Sequence, residues 1–183
     1  GNVEFYYLED DPWFWGRRGL LIFLAILGIA AVNRKEREPL AILGSNGQWI
    51  FIAMLYGLIA GLFSPTMQTP TPMGPLLGMT AFHVLAEQLF FVVFLGRSLL
   101  KRFSEPLLAV CLVAAIYGAY QLTFYATLAA PPDVLLRTVP QVAVFAGGAY
   151  TFFLWKSGGI LTPFIAHLII NGSVAIRSIQ GLA

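Results

Sequence analysis

Six apolar runs, each near the length of a bilayer crossing and bounded by charged or proline-rich residues, dominate this chain. They lie at about 19–33, 47–63, 76–96, 106–129, 138–155 and 159–176. A helix needs roughly 20 apolar residues to cross the hydrocarbon core. The pattern therefore predicts an all-α fold, a polytopic transmembrane helix bundle of about six spans. Only 11% of the 183 residues are charged, whereas an ordinary soluble domain has about a quarter. Too little polar surface remains to cover a globule in water. The net charge of +2 gives no field for nucleic acid, so no nucleic-acid partner is expected.

The ends of the runs carry the organisation. Residues 1–18 turn from acidic to aromatic to basic and read as an N-terminal interfacial segment. In it Trp13, Phe14 and Trp15 sit at headgroup level beside Arg17 and Arg18, whose stems snorkel outward to lengthen a short first span. Residues 19–183 form the transmembrane bundle. The loop 64–75 has four prolines and no charge, so it is not helical throughout. Loops after the first, third and fifth spans hold Arg34, Lys35, Arg37, Arg97, Lys101, Arg102 and Lys156. The other side holds Arg17, Arg18, Arg137 and Arg177. Seven against four predicts those three loops in the cytoplasm and both termini outside. Cys111, alone inside an apolar run, forms no disulfide framework and reads as a small buried thiol. No cleavable signal-peptide pattern is visible, and Tyr6 does not fit myristoylation of Gly1.

Polar residues inside the spans are the exceptions that need explaining. Of nine acids, only Glu87 lies in the middle of a span. An ionisable group in hydrocarbon costs several kcal/mol unless it is paired, which makes Glu87 a site candidate. His83 lies four residues earlier on the same helix face, and His167 and Asn171 repeat that spacing on the last span. Gln88 and Gln121 add amides. At about 1.5 Å per residue, Glu87 lies about 16 Å into its span, and His167 and Asn171 about 12 and 18 Å into theirs. Three helices can thus converge on one polar layer. A carboxylate, an imidazole and an amide around a water are parts for water or metal activation. The same groups also serve as interhelical hydrogen bonds, worth about 1 kcal/mol each.

From about residue 80 to 176 the chain resembles the CPBP family of intramembrane proteases, which includes the CAAX prenyl endopeptidases and bacteriocin-processing relatives. The resemblance places a CPBP-like core at about 76–176. The family pattern E-E-x-x-x-R aligns with Glu87-Gln88-Leu89-Phe90-Phe91-Val92, and its aromatic-x-x-x-His with Tyr117-Gly118-Ala119-Tyr120-Gln121. H-x-x-x-N aligns with His167-Leu168-Ile169-Ile170-Asn171, after the segment SGGILTPFIAH. The resemblance implies that Glu87 would activate water, with His167 and Asn171 binding metal or stabilising an oxyanion. Gln88, Val92 and Gln121 replace a glutamate, an arginine and a histidine, so three of the six motif positions are changed. An amide is a poor zinc ligand. The joint loss of a carboxylate at 88 and a cation at 92 leaves neither without its partner.

The leading expectation is a catalytically degenerate member acting as a subunit, assembly factor or scaffold that binds other membrane proteins. Glu87 would then be a hydrogen-bonded link between helices, at an ancestral site with His167 and Asn171, lined by Gln88, Gln121 and His83. No cofactor is expected in that case. The alternative is an active endopeptidase with a variant site, in which zinc would be held by His167, Asn171 and Glu87, or His83 would replace the missing imidazole. A proton relay through Glu87 and His83 is a third reading, weakened by the dryness of the spans outside this layer. The expected partners are the lipid bilayer and other integral membrane proteins, and the expected location is the bacterial inner membrane.

Overall fold

A computed structural model describes residues 12–36, 46–64, 73–127 and 131–180. Among the described residues the chain forms six continuous helices and no strand. Helix α1 is Pro12–Glu36 and α2 is Gly47–Phe63. Helix α3 comprises an α-helical section Met73–Glu87, a π-helical section Gln88–Gly96 and a last turn Arg97–Arg102. Helix α4 is Pro106–Thr127. Helix α5 comprises Pro132–Val142, a second π-helical section Ala143–Gly148, and Ala149–Ser157. Helix α6 is Leu161–Gln180.

The helix ends follow local chemistry. Asn46 caps α2, its side chain accepting from the Gln48 amide at 3.0 Å. Pro106 and Pro132 open their helices where no N–H is needed. Gly158, at φ 73°, ends α5 in the left-handed conformation that glycine tolerates. Two helices start earlier than the apolar pattern implies. Helix α1 takes in Trp15, Arg17 and Arg18, and α5 takes in Asp133 and Arg137. Interfacial polar residues are compatible with helix, so the loss of apolarity marks the edge of the bilayer, not the end of the element. The stretch Arg97–Arg102 is likewise helical, its cations favoured at a helix C-terminus. Residues 1–11, Arg37 and most of the proline-rich loop lie outside the described residues.

The stretches Leu76–Arg102 and Pro106–Ala126 are long and apolar enough to cross a membrane, and Gly47–Phe63 and Leu161–Arg177 are shorter apolar helices. Helix α3 is central. Its Val92 belongs to one buried cluster with Ala53, Tyr150, Phe153 and Ala166, and its Ala86 and Phe91 to another with Leu21, Val113 and Tyr117. Cys111 is exposed on α4, not buried as expected. In a bilayer the outward face is also apolar, so an apolar setting does not report burial.

Helices α2 and α6 meet closely. A Cβ on Gly57 would lie 2.9 Å from the Ile169 Cβ and 3.0 Å from the Ala166 carbonyl, and one on Gly61 would lie 2.8 Å from the Ser173 Cβ. Small residues four apart let the two backbones approach, as is common between membrane helices. Arg177 of α6 then reaches the end of α2, donating to the Leu62 carbonyl at 2.9 Å and the Gly61 carbonyl at 2.7 Å. Substituting Gly57→Ala or Gly61→Ala should therefore destabilise the detergent-solubilised protein by about 1–3 kcal/mol. Gly19→Ala, whose methyl meets nothing within 4 Å, should not destabilise it. Thermal unfolding followed by circular dichroism checks the contrast.

Candidate functional site

Glu87 ends the first section of α3 and is 1% exposed. Its carboxylate accepts hydrogen bonds at both oxygens from α4. The Tyr117 hydroxyl donates to Oε2 at 2.5 Å and the Gln121 amide to Oε1 at 3.1 Å. These donors are four residues apart, so one face of α4 presents both. His83, one turn before Glu87 on α3, brings Nε2 to 3.5 Å from Oε1. From α6, His167 brings Nε2 to 3.7 Å from Oε2.

The outer nitrogens of both rings are also engaged. Arg18 Nε donates to His83 Nδ1 at 3.0 Å. The Gln88 amide nitrogen faces His167 Nδ1 at 2.9 Å, and Gln88 Oε1 has no partner among the described residues. Tyr150 of α5 stacks on the His167 ring, with centroids 4.5 Å apart. The Arg18 guanidinium lies over the Phe124 ring at 5.8 Å. Its neighbour Arg17 stands over Tyr120 at 5.0 Å and donates to the Thr123 hydroxyl at 3.0 Å. The start of α1 is thereby docked on the end of α4.

Sequence reasoning brought Glu87, His83, Gln88, Gln121 and His167 to one layer, and they meet there. Asn171 lies one turn beyond His167, half-buried, and makes no hydrogen bond to the group among the described residues. Arg18 requires a correction, because it is 1% exposed instead of snorkelling to the interface. Successive helical residues point about 100° apart, since a turn takes 3.6 residues, so two adjacent arginines do not share one outlook. That spacing was the available signal. Tyr117 stood at a motif position of the resemblance without a role for its hydroxyl, and the Tyr150 ring was missed, since aromatic residues are ordinary in any core.

His83, Glu87 and His167 have the composition of a metal site, with one ligand atom from each lying within 4.8 Å of the others. The surroundings of His83 do not fit that use. A metal-ligating histidine almost always donates its second N–H to a carboxylate, a carbonyl or water. Here the second nitrogen faces Arg18, and a guanidinium offers donors only. Tyr117 and Gln121 are hydrogen-bond donors to the Glu87 carboxylate, and the two imidazoles stand 3.5 and 3.7 Å from it. Tyr117→Phe should lower stability by about 1–2 kcal/mol, the typical penalty for removing one donor from a buried acceptor. A thermal double-mutant cycle with Glu87→Gln should return a coupling of the same order, and additivity would show that the contact carries nothing.

A family model described as Type II CAAX prenyl endopeptidase Rce1-like matches residues 69–173. Comparison with curated proteins and with solved structures gives no match. The matched region takes in α3, α4, α5 and the part of α6 that holds His167 and Asn171, and it leaves out α1 and α2. It covers more than half of the chain, and within it Glu87, His167 and Asn171 stand at motif positions of the resemblance. The chain is a helical integral membrane protein and belongs to the Rce1-like CAAX prenyl endopeptidase family, within the CPBP proteins.

Proposed function

We propose that this chain is a catalytically degenerate member of its family. It works as a subunit, assembly factor or scaffold that binds other integral membrane proteins in the bacterial inner membrane. The observation that carries this reading is the direct contact between Gln121 and Glu87, 3.1 Å from amide nitrogen to carboxylate oxygen. Gln121 stands where the family pattern has a histidine. A general base must reach the proton it removes, directly or through one water. Between Gln121 and Glu87 there is no room for that water, and Tyr117 takes one acceptor site on the other carboxylate oxygen. The layer is arranged to satisfy a buried carboxylate, which holds helices together.

Surface outside the matched region supports a binding role. Helix α2 exposes Phe51, Leu55, Leu58, Ile59, Leu62 and Phe63, a face suited to lipid or to another membrane helix. A second reading has one observation in its favour. His83 and His167 both stand within 3.7 Å of Glu87, so an imidazole is still at hand despite the loss at 121. In that reading the chain remains an endopeptidase with a variant site.

Wild-type and Glu87→Gln proteins should be compared by mass spectrometry of membrane-protein cleavage products in the producing cell. In parallel, each should be extracted in mild detergent and sized by native electrophoresis. The expected result is one set of cleavage products in both cells and a complex larger than the monomer in both extracts. Products that vanish with Glu87→Gln would overturn the proposal and establish the second reading. A wild-type protein that is always monomeric would remove the subunit role.

A further inference from the structure

Arg18 brings a buried cation into the layer from α1, an element outside the family match. Its Nε–H points at His83 Nδ1 across 3.0 Å. A guanidinium has no lone pair to offer, so Nδ1 must be the acceptor in this contact. A ring carrying protons on both nitrogens would set one N–H against another. The ring therefore has a single proton, on Nε2, which stands 3.5 Å from Glu87 Oε1. The second nitrogen of a histidine ring selects what the first one does.

We propose that Arg18 is a positioning residue that holds His83 in its Nε2–H form, so that the ring turns this N–H toward Glu87 and withholds a lone pair from metal or water. The position that carries an arginine in the family pattern is Val92, 1% exposed and packed in the apolar cluster with Tyr150 and Phe153. The cation of this chain thus arrives from another helix and acts on a histidine instead of a second carboxylate. The assignment concerns the state of a ring and is independent of whether the chain cleaves anything.

Nitrogen-15 NMR of the full chain, histidine-labelled and placed in nanodiscs, reads the state directly, with His83→Gln identifying the signals. Wild-type His83 should show a protonated Nε2 and a bare Nδ1. Arg18→Lys, still a pure donor, should keep that pattern, and Arg18→Met should move it toward the Nδ1–H form. Zinc titration should show Arg18→Met binding about tenfold or more tighter than wild type, the scale on which second-shell partners act, with the gain lost in Arg18→Met/His83→Gln. A wild-type ring protonated at Nδ1 overturns the proposal, as does an Arg18→Met protein with an unchanged ring and unchanged zinc affinity. If Arg18→Met does not fold, the wild-type and Arg18→Lys spectra decide alone.

Discussion

Glu87 imposes a demand that the rest of the bundle meets. A carboxylate taken out of water and left without donors costs several kcal/mol. Apolar packing between helices in lipid offers little to offset this, because lipid tails are as apolar as leucine. Donors must come from other helices, and each one commits its helix to a depth and a rotation. Tyr117 and Gln121 commit α4 by hydrogen bonds, and His167 of α6 stands beside the carboxylate at 3.7 Å, beyond hydrogen-bond distance. Through His83 and Arg18 the demand reaches α1. Hydrogen bonds between membrane helices are worth about 1 kcal/mol each, so no single contact dominates. Their agreement on one layer is what excludes other packings, in which some of them would be left buried without partners.

Water activation and helix linkage make opposite demands on the groups around a carboxylate. A base that activates water needs acceptor capacity aimed at the place where water binds. Around Glu87, Tyr117 and Gln121 aim donors at the carboxylate, and the buried polar atoms without a hydrogen bond among the described residues include Gln88 Oε1 and the Tyr120 hydroxyl. Glutamine offers both a donor and an acceptor, whereas the glutamate of the family pattern, when ionised, only accepts. Gln88 can therefore meet His167 Nδ1 as donor or as acceptor, and its amide nitrogen faces that ring at 2.9 Å. Gln121 and Arg18 likewise end in contacts with Glu87 and His83.

Much of the fold was legible because membrane helices advertise themselves by apolarity between charged edges. The run expected at 47–63 coincides with α2, Gly47–Phe63. Helices α1 and α5 extend further because Arg17 and Asp133 sit in helix at the interface, which composition does not resolve. Glu87, His83, His167 and Gln121 were legible as violations of an apolar pattern. Arg18 was not, since a cation at the edge of a span violates nothing, and its burial depends on how α1 tilts against α4. Asn171 was placed in the layer by its spacing from His167. Spacing alone does not give it a contact there, and it makes no hydrogen bond to the group among the described residues.

The polar layer borders apolar packing in α3. Its π-helical section, with i→i+5 hydrogen bonds, begins at Gln88 directly after Glu87 and contains Val92. Val92 is 1% exposed and packs with Tyr150, and Tyr150 in turn stacks on His167. An apolar floor therefore closes the layer on that side. The second π section, in α5, pushes its backbone toward α4. A Cβ on Gly147 would lie 2.6 Å from the Tyr117 Cβ, so that contact fixes the base of the side chain whose hydroxyl meets Glu87. The cation that reaches this layer comes from the start of α1, where Arg18 sits. Restoring arginine at 92 alone should thus not rebuild the family's arrangement. Its side chain would have to displace the Tyr150–Phe153 packing, and it would find Gln88 in place of the carboxylate it needs.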